Sequence, residues 1–112
     1  MPKRPAPLGP KRLHVTSPAR LDIDDALDYM AREASLETAL RFADRITRDL
    51  ERLASVGHAG VSREWVSPGL RMTTIGRYCI FFRVTPSETI ILRFLHGARD
   101  IESIAFPSDT ST

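Results

Sequence analysis

The sequence predicts an α+β domain of order β-α-α-β-β-β, in which a helical hairpin packs on a mostly antiparallel sheet. Three observations predict it. Apolar residues recur at helical spacing between residues 17 and 56, the period changes to two from Arg63 onward, and tight turn signals punctuate only the second half. A chain of 112 residues holds one such core and is too short for two.

Residues 1–10 contain four prolines and few apolar side chains, which predicts a disordered leader ahead of a single domain over 11–106. "RLHVT" (12–16) alternates polar and apolar residues and is expected to form the first strand. Ser17 reads as an N-cap with Pro18 at the first helical position, where its missing N–H costs nothing. Asp22, Asp24 and Asp25 follow near the positive end of the helix dipole, and Ile23, Leu27, Met30 and Ala34 fall on one stripe. Ser35 caps a second helix with apolar positions Leu36, Ala39, Ala43, Ile46, Leu50 and Leu53, and with Glu37/Arg41 and Asp44/Arg48 pairs outside. It should end at Gly57. So short a connection demands an antiparallel hairpin.

"REWV", "LRMTTI", "YCIFFRV" and "TIILRFL" then read as strands, joined by the turns "SPG", "GR" and "TPSE". Strict alternation puts Tyr78, Ile80, Phe82 and Val84 opposite Cys79, Phe81 and Arg83, and Ile90, Leu92 and Phe94 opposite Ile91, Arg93 and Leu95. Both faces of the meander are therefore partly apolar. One should take the hairpin and the other should be left for a partner. Residues 107–112 lack periodicity and read as a flexible tail.

The formal charge of +2 is unevenly spread: residues 17–56 hold six Arg against nine acids, and residues 57–101 six Arg against three. The second half is the basic one. Its cations are all arginine, since Lys3 and Lys11 are the only lysines, and arginine favours planar contacts to carboxylate or phosphate. Arg71, Arg77, Arg83 and Arg93 come from neighbouring strand segments, and with ordinary registers several would gather on the face away from the helices. That cluster, with Trp65 beside a turn, is the candidate partner-binding surface, for RNA phosphates or an acidic peptide.

Catalytic signatures are sparse. There is no phosphate-binding glycine loop, no paired Cys or His at metal-ligand spacing and no G-x-S-x-G elbow, so no metal or cofactor is expected. Cys79, the single cysteine, lies in "YCIFF" and reads as a buried structural thiol. His14 and His58 have no evident partner; His96 has Gly97, Arg99 and Asp100 beside it in "LHGARD", a closing turn in which Asp100 either orients His96 or pairs with Arg99. A ribonuclease built here would have Arg71, Arg83 and His96 as its catalytic candidates, with Tyr78 and Glu64 as further acid or base groups. The start "MPKRPAPLGPKR" lacks an apolar h-region and no apolar run approaches 18 residues, so a protein of the reducing cytoplasm is expected, with no membrane contact.

"SPAR" opening an acidic helix, "ALRFADRITRDLERLA", "PGLRMTTIGRYCIFFRV" and "IILRFLHGARDI" together resemble the ParE toxins of bacterial type II toxin–antitoxin pairs, within the RelE/ParE superfamily, over roughly residues 12–101. The resemblance implies a toxin that inhibits DNA gyrase by binding and forms a hetero-oligomer with a cognate antitoxin. RelE-like relatives instead cut mRNA on the ribosome. That branch places basic and tyrosine residues near the C-terminus, and here the chain after Asp100 has no Lys, Arg, His or Tyr.

Overall fold

The computed structural model describes residues 11–56, 60–97 and 104–107. The expected leader, the cap at Gly57, His58, Arg99, Asp100 and the tail beyond Pro107 lie outside them. The elements are β1 (Arg12–Val15), α1 (Ser17–Glu33), α2 (Leu36–Val56), β2 (Val61–Ser62), β3 (Arg71–Ile75), β4 (Tyr78–Val84) and β5 (Glu88–His96). The sheet order is β1-β5-β4-β3-β2, with β1 parallel to β5 and every other pair antiparallel. A parallel pair cannot be joined by a tight turn, and here the helical hairpin together with β2, β3 and β4 lies between β1 and β5 in the chain. This is the expected α+β architecture with one short strand added.

The first helix begins one residue away from the expected cap. Thr16, not Ser17, is the N-cap: its Oγ1 accepts from the Ala19 N–H at 3.3 Å and donates to the Ile91 carbonyl at 2.9 Å. Thr16 is fully buried, so one hydroxyl both caps α1 and pins it to the centre of the sheet. Ser35 caps α2 as expected, accepting from the Thr38 N–H at 3.0 Å. Of the two outside pairs, Glu37 and Arg41 meet at 3.7 Å, while Arg48 donates to the Asp44 carbonyl at 3.3 Å.

The helix-side core joins Ala19, Ala26, Ile46, Leu50 and Leu53 to Ile75, Ile80, Phe82, Ile91 and Phe94. Leu36 stands outside it, 65% exposed, although Ala39 three residues on is buried. The presence of both Ile91 and Phe94 departs from strict alternation. Between Phe81 and Phe82 the β4–β5 register slips, so that Phe81 faces Arg93 while Phe82 faces Ile91, and Leu92 is the extra residue of a bulge. Phe94 thereby joins Ile91 on the helix side, and Ile90, Leu92 and Leu95 share the other.

That other face does not wait for a partner. Leu70, Phe81, Ile90 and Leu92 form a second core, covered by Val66, Met72, Cys79, Leu95, Ile104 and Phe106 of the same chain. Phe106 meets Phe81 edge-on, with ring centroids 5.3 Å apart. Nor is "REWV" a strand: pairing ends at Ser62, and residues 63–70 close on themselves through Arg63 N–H to Leu70 (2.7 Å), Val66 N–H to Arg63 (2.8 Å) and Leu70 N–H to Ser67 (3.0 Å). Local bonds there take the place of a ladder, which lets the loop fold back over the second core.

Candidate functional site

Arg93 belongs to the most constrained polar cluster. Beyond Val15, β1 ends and leaves the outer edge of β5 without a strand partner. Asp22 of α1 fills that gap: it takes Arg93 Nε at 2.6 Å and Nη2 at 3.0 Å, and its Oδ2 also accepts the Phe94 N–H at 3.0 Å. Arg93 Nη1 reaches the Ala105 carbonyl at 2.8 Å, tying the segment over the second core to the same guanidinium. The hydrogen bond to Asp22 raises the Arg93 pKa against the opposing effect of burial, so the cation is permanent. Asp22 had only a dipole-complementing role in sequence, and nothing local to it signals a contact with Arg93.

Next to this cluster a cavity of ≈ 520 Å³ opens between α1 and β5, lined by Asp25, Ala26, Tyr29, Tyr78, Phe94 and His96 among others. Tyr78 stacks on Phe94 at 4.9 Å, lies 5.6 Å from Phe42 and receives the exposed His96 ring edge-on at 5.1 Å. Burial, followed by the neighbouring Tyr29, raises the Tyr78 pKa, which keeps its phenol protonated and unsuited to act as a base. Arg77 is exposed in the turn from β3 to β4, and its carbonyl accepts the Gly97 N–H at 2.8 Å. A second cavity, lined by Leu13, Val15, Ile23, Leu27, Ile46 and Leu50 among others, lies between β1 and the hairpin.

The remaining expected residues sit at the other end of the sheet. Arg71 is opposite Phe82 and therefore on the helix-side face, with Nη2 donating to the Gly60 carbonyl at 3.0 Å. Arg83, one residue out of phase, lies on the second face, where Nε donates to the Pro68 carbonyl at 2.9 Å and Nη2 to Ser67 Oγ. The four arginines are thus spread over two faces, a turn and a sheet edge, and do not form the expected cluster. Glu64 closes the same loop, both carboxylate oxygens lying 2.7 Å from the Gly69 nitrogen. Trp65, at the loop's outer side, is 65% exposed. Cys79 is half-buried, its thiol donating to the Gly97 carbonyl at 3.5 Å, and burial raises its pKa more than nearby Arg63 lowers it.

Among the described residues no group of three or more His, Cys, Asp or Glu side chains is placed to hold a metal ion, and no helix is long and apolar enough to cross a membrane. A model of the ParE toxin of the type II toxin–antitoxin system parDE matches residues 13–101. The chain belongs to the ParE toxin family. Among solved structures, this ParE toxin is similar to a chain described as the chromosomal ParDE toxin–antitoxin system from P. aeruginosa, with 28% identity and a TM-score of 0.68, covering 79% of this chain and 97% of that one. Comparison with curated proteins gives no match. The family match over residues 13–101 spans the Asp22–Arg93 cluster, the α1/β5 cavity and the Trp65 loop of this ParE toxin.

Proposed function

We propose that this ParE toxin acts in the cytoplasm by binding DNA gyrase and inhibiting it, and that a cognate antitoxin neutralises it in a hetero-oligomer. The observation that carries the binding mechanism is the dispersal of the catalytic candidates. Arg71 and Arg83 lie on opposite faces and each donates to a backbone carbonyl of the loop region, while His96 sits beyond them at the end of β5 against Tyr78. Metal-free cleavage of RNA needs an acid and a base converging on one phosphate. Arginines engaged in holding loops, and a phenol kept protonated, fit protein contact better. The antitoxin segment lies along the hairpin, in the largely apolar cavity between β1 and the helices, folding as it binds.

Pulse-labelling of thymidine and methionine after inducing the toxin alone tests this reading. A prompt fall in DNA synthesis with translation intact, followed by loss of supercoiling with purified gyrase, is the expected result. A prompt fall in translation instead assigns the chain to ribosome-dependent mRNA cleavage, with Arg71, Arg83 and His96 as the residues to test.

A further inference from the structure

We propose that two copies of this chain pair through α2 about a two-fold axis, each setting Leu36 and Leu40 against the cavity beside Ala43 and Thr47 of the other. The pairing rests neither on the toxin reading nor on gyrase as the target.

Three observations carry it. The first is where the leucines stand. Leu21 is as exposed as they are but has Asp24 and Asp25 at i+3 and i+4, and Tyr29 has Asp25 and Glu33 one turn to either side. Leu36 and Leu40, 65% and 59% exposed, are instead neighbours on one helical stripe. That stripe continues through half-buried Ala43 and exposed Thr47 to buried Leu50, and steps of four, three, four and three residues are those of a heptad seam.

The second is shape. Ala43, Thr47 and Leu50 form one wall of the ≈ 260 Å³ cavity whose other walls include Ile23 and Leu27 of α1 with Leu13 and Val15 of β1. One helix therefore carries two protruding leucines and, two turns further on, two small side chains beside a hollow. Laid antiparallel with the axis passing between Arg41 and Phe42, Leu40 of each copy faces Ala43 of the other, and Leu36 faces Thr47. A protrusion and a hollow on the same element fit each other only when the second copy runs the opposite way, which is the isologous geometry of a two-fold dimer.

The third is charge. Glu37, Arg41, Asp44 and Arg48 flank the seam and are all exposed. The register that matches leucines to hollows also lays Glu37 within two residues of Arg48 of the second copy, and Asp44 within two residues of Arg41. That offset is about 3 Å along the helix, which these side chains span. Symmetry repeats both pairs, so opposite signs meet four times. A parallel pairing would set Glu37 on Glu37 and Arg41 on Arg41. In the single chain these groups are engaged only at the surface: Glu37 and Arg41 meet at 3.7 Å, and Arg48 Nε donates to the Asp44 carbonyl at 3.3 Å. The seam is short, so the dimer forms at micromolar rather than nanomolar concentration.

Sedimentation equilibrium of the full-length chain tests this, comparing wild type with Leu40→Ser, Glu37→Arg, Arg48→Glu and the double exchange of Glu37→Arg with Arg48→Glu. Circular dichroism reports whether each variant is folded. Wild type should follow a monomer–dimer equilibrium. Leu40→Ser should weaken it at least about tenfold, since each change counts twice, and each charge reversal roughly fivefold. The double exchange should return to within about twofold of wild type, because it restores the opposite-sign contacts. Should Leu40→Ser unfold the chain, the charge variants decide alone. A wild type still monomeric at about 1 mM overturns the proposal. So does a dimer indifferent to Leu40→Ser in its folded form, or a double exchange no better than the single reversals.

The cavity is the one given above to the antitoxin, so on that reading the two occupants exclude each other. Apparent antitoxin affinity should then fall as toxin concentration rises past its dimer constant, in proportion to the monomer fraction, and should stay level for Leu40→Ser. If the charge exchange behaves as stated but antitoxin affinity ignores toxin concentration, the antitoxin placement fails and the pairing stands.

Discussion

Asp22 and Arg93, 71 residues apart in sequence, meet in a two-bonded ion pair with side chains only 12% and 21% exposed. The same carboxylate accepts the Phe94 N–H, so α1 closes the part of the β5 edge that β1 does not reach. An unpaired edge is a template for unwanted strand addition, and a carboxylate turned onto it satisfies the donor while discouraging a neighbour.

Removing one partner leaves the other partly buried and unpaired. Arg93→Ala and Asp22→Ala should each lower unfolding free energy by about 2–4 kcal/mol, less than for a fully buried pair because solvent still screens both groups. Urea unfolding of the two single variants and the double variant measures it. A double variant no worse than either single would show the pair acting as a unit; full additivity would refute the coupling. The Arg93 pKa is raised in the fold, so its contribution is complete below the unfolded value and lost only as pH rises through the folded one. Between pH 6 and 9 the destabilisation by Arg93→Ala should therefore be constant.

Thr16→Val keeps the shape of the side chain and removes the hydroxyl that serves Ala19, Ile91 and the α1 start. A loss of about 1–2 kcal/mol is expected, and Thr16→Ser should recover most of it. Thermal unfolding would show this, and a neutral Thr16→Val would mean that the cap is dispensable.

Gly60 and Gly97 both have positive φ, 76° and 66°, but differ in surroundings. A Cβ at Gly60 would press on the Met72 backbone carbonyl, whereas one at Gly97 meets nothing within 4 Å. Gly97→Ala should cost about 1 kcal/mol for the left-handed backbone alone, and Gly60→Ala at least about 2 kcal/mol. Equal costs in chemical denaturation would remove the steric argument.

Cys79 has its thiol pKa raised by burial, which keeps it protonated at pH 8. Alkylation by iodoacetamide should run roughly tenfold slower than for a free thiol and reach the free rate only in denaturant. For a thiol with a raised folded pKa the linked stability is present below the unfolded value and lost as pH climbs through the folded one. Stability should consequently fall above about pH 9 in a way that Cys79→Ser abolishes.

The helices, the hairpin, the three main strands and the family resemblance were legible in residues 12–97 because each rests on local spacing and turn chemistry. Tyr78, Ile80, Phe82 and Val84 alternate without interruption, and Tyr78, Ile80 and Phe82 meet the helices together with half-buried Val84. The site residues were harder. Arg71, Arg77, Arg83 and Arg93 were visible as a basic set, but their directions depend on registers that no single strand encodes. One extra residue at Leu92 reverses the face of everything after it in β5.

By itself, then, the sequence determined element order, the helical hairpin and the uneven charge, because periodicity and capping are properties of a few consecutive residues. Tertiary structure alone decided that Thr16 rather than Ser17 caps α1, that Asp22 holds Arg93, and that Ile104 and Phe106 cover the second face. Each of these joins groups dozens of residues or more apart, or depends on such a contact. Their geometry exists only once the bulge and the parallel β1–β5 pairing have set which side chains meet.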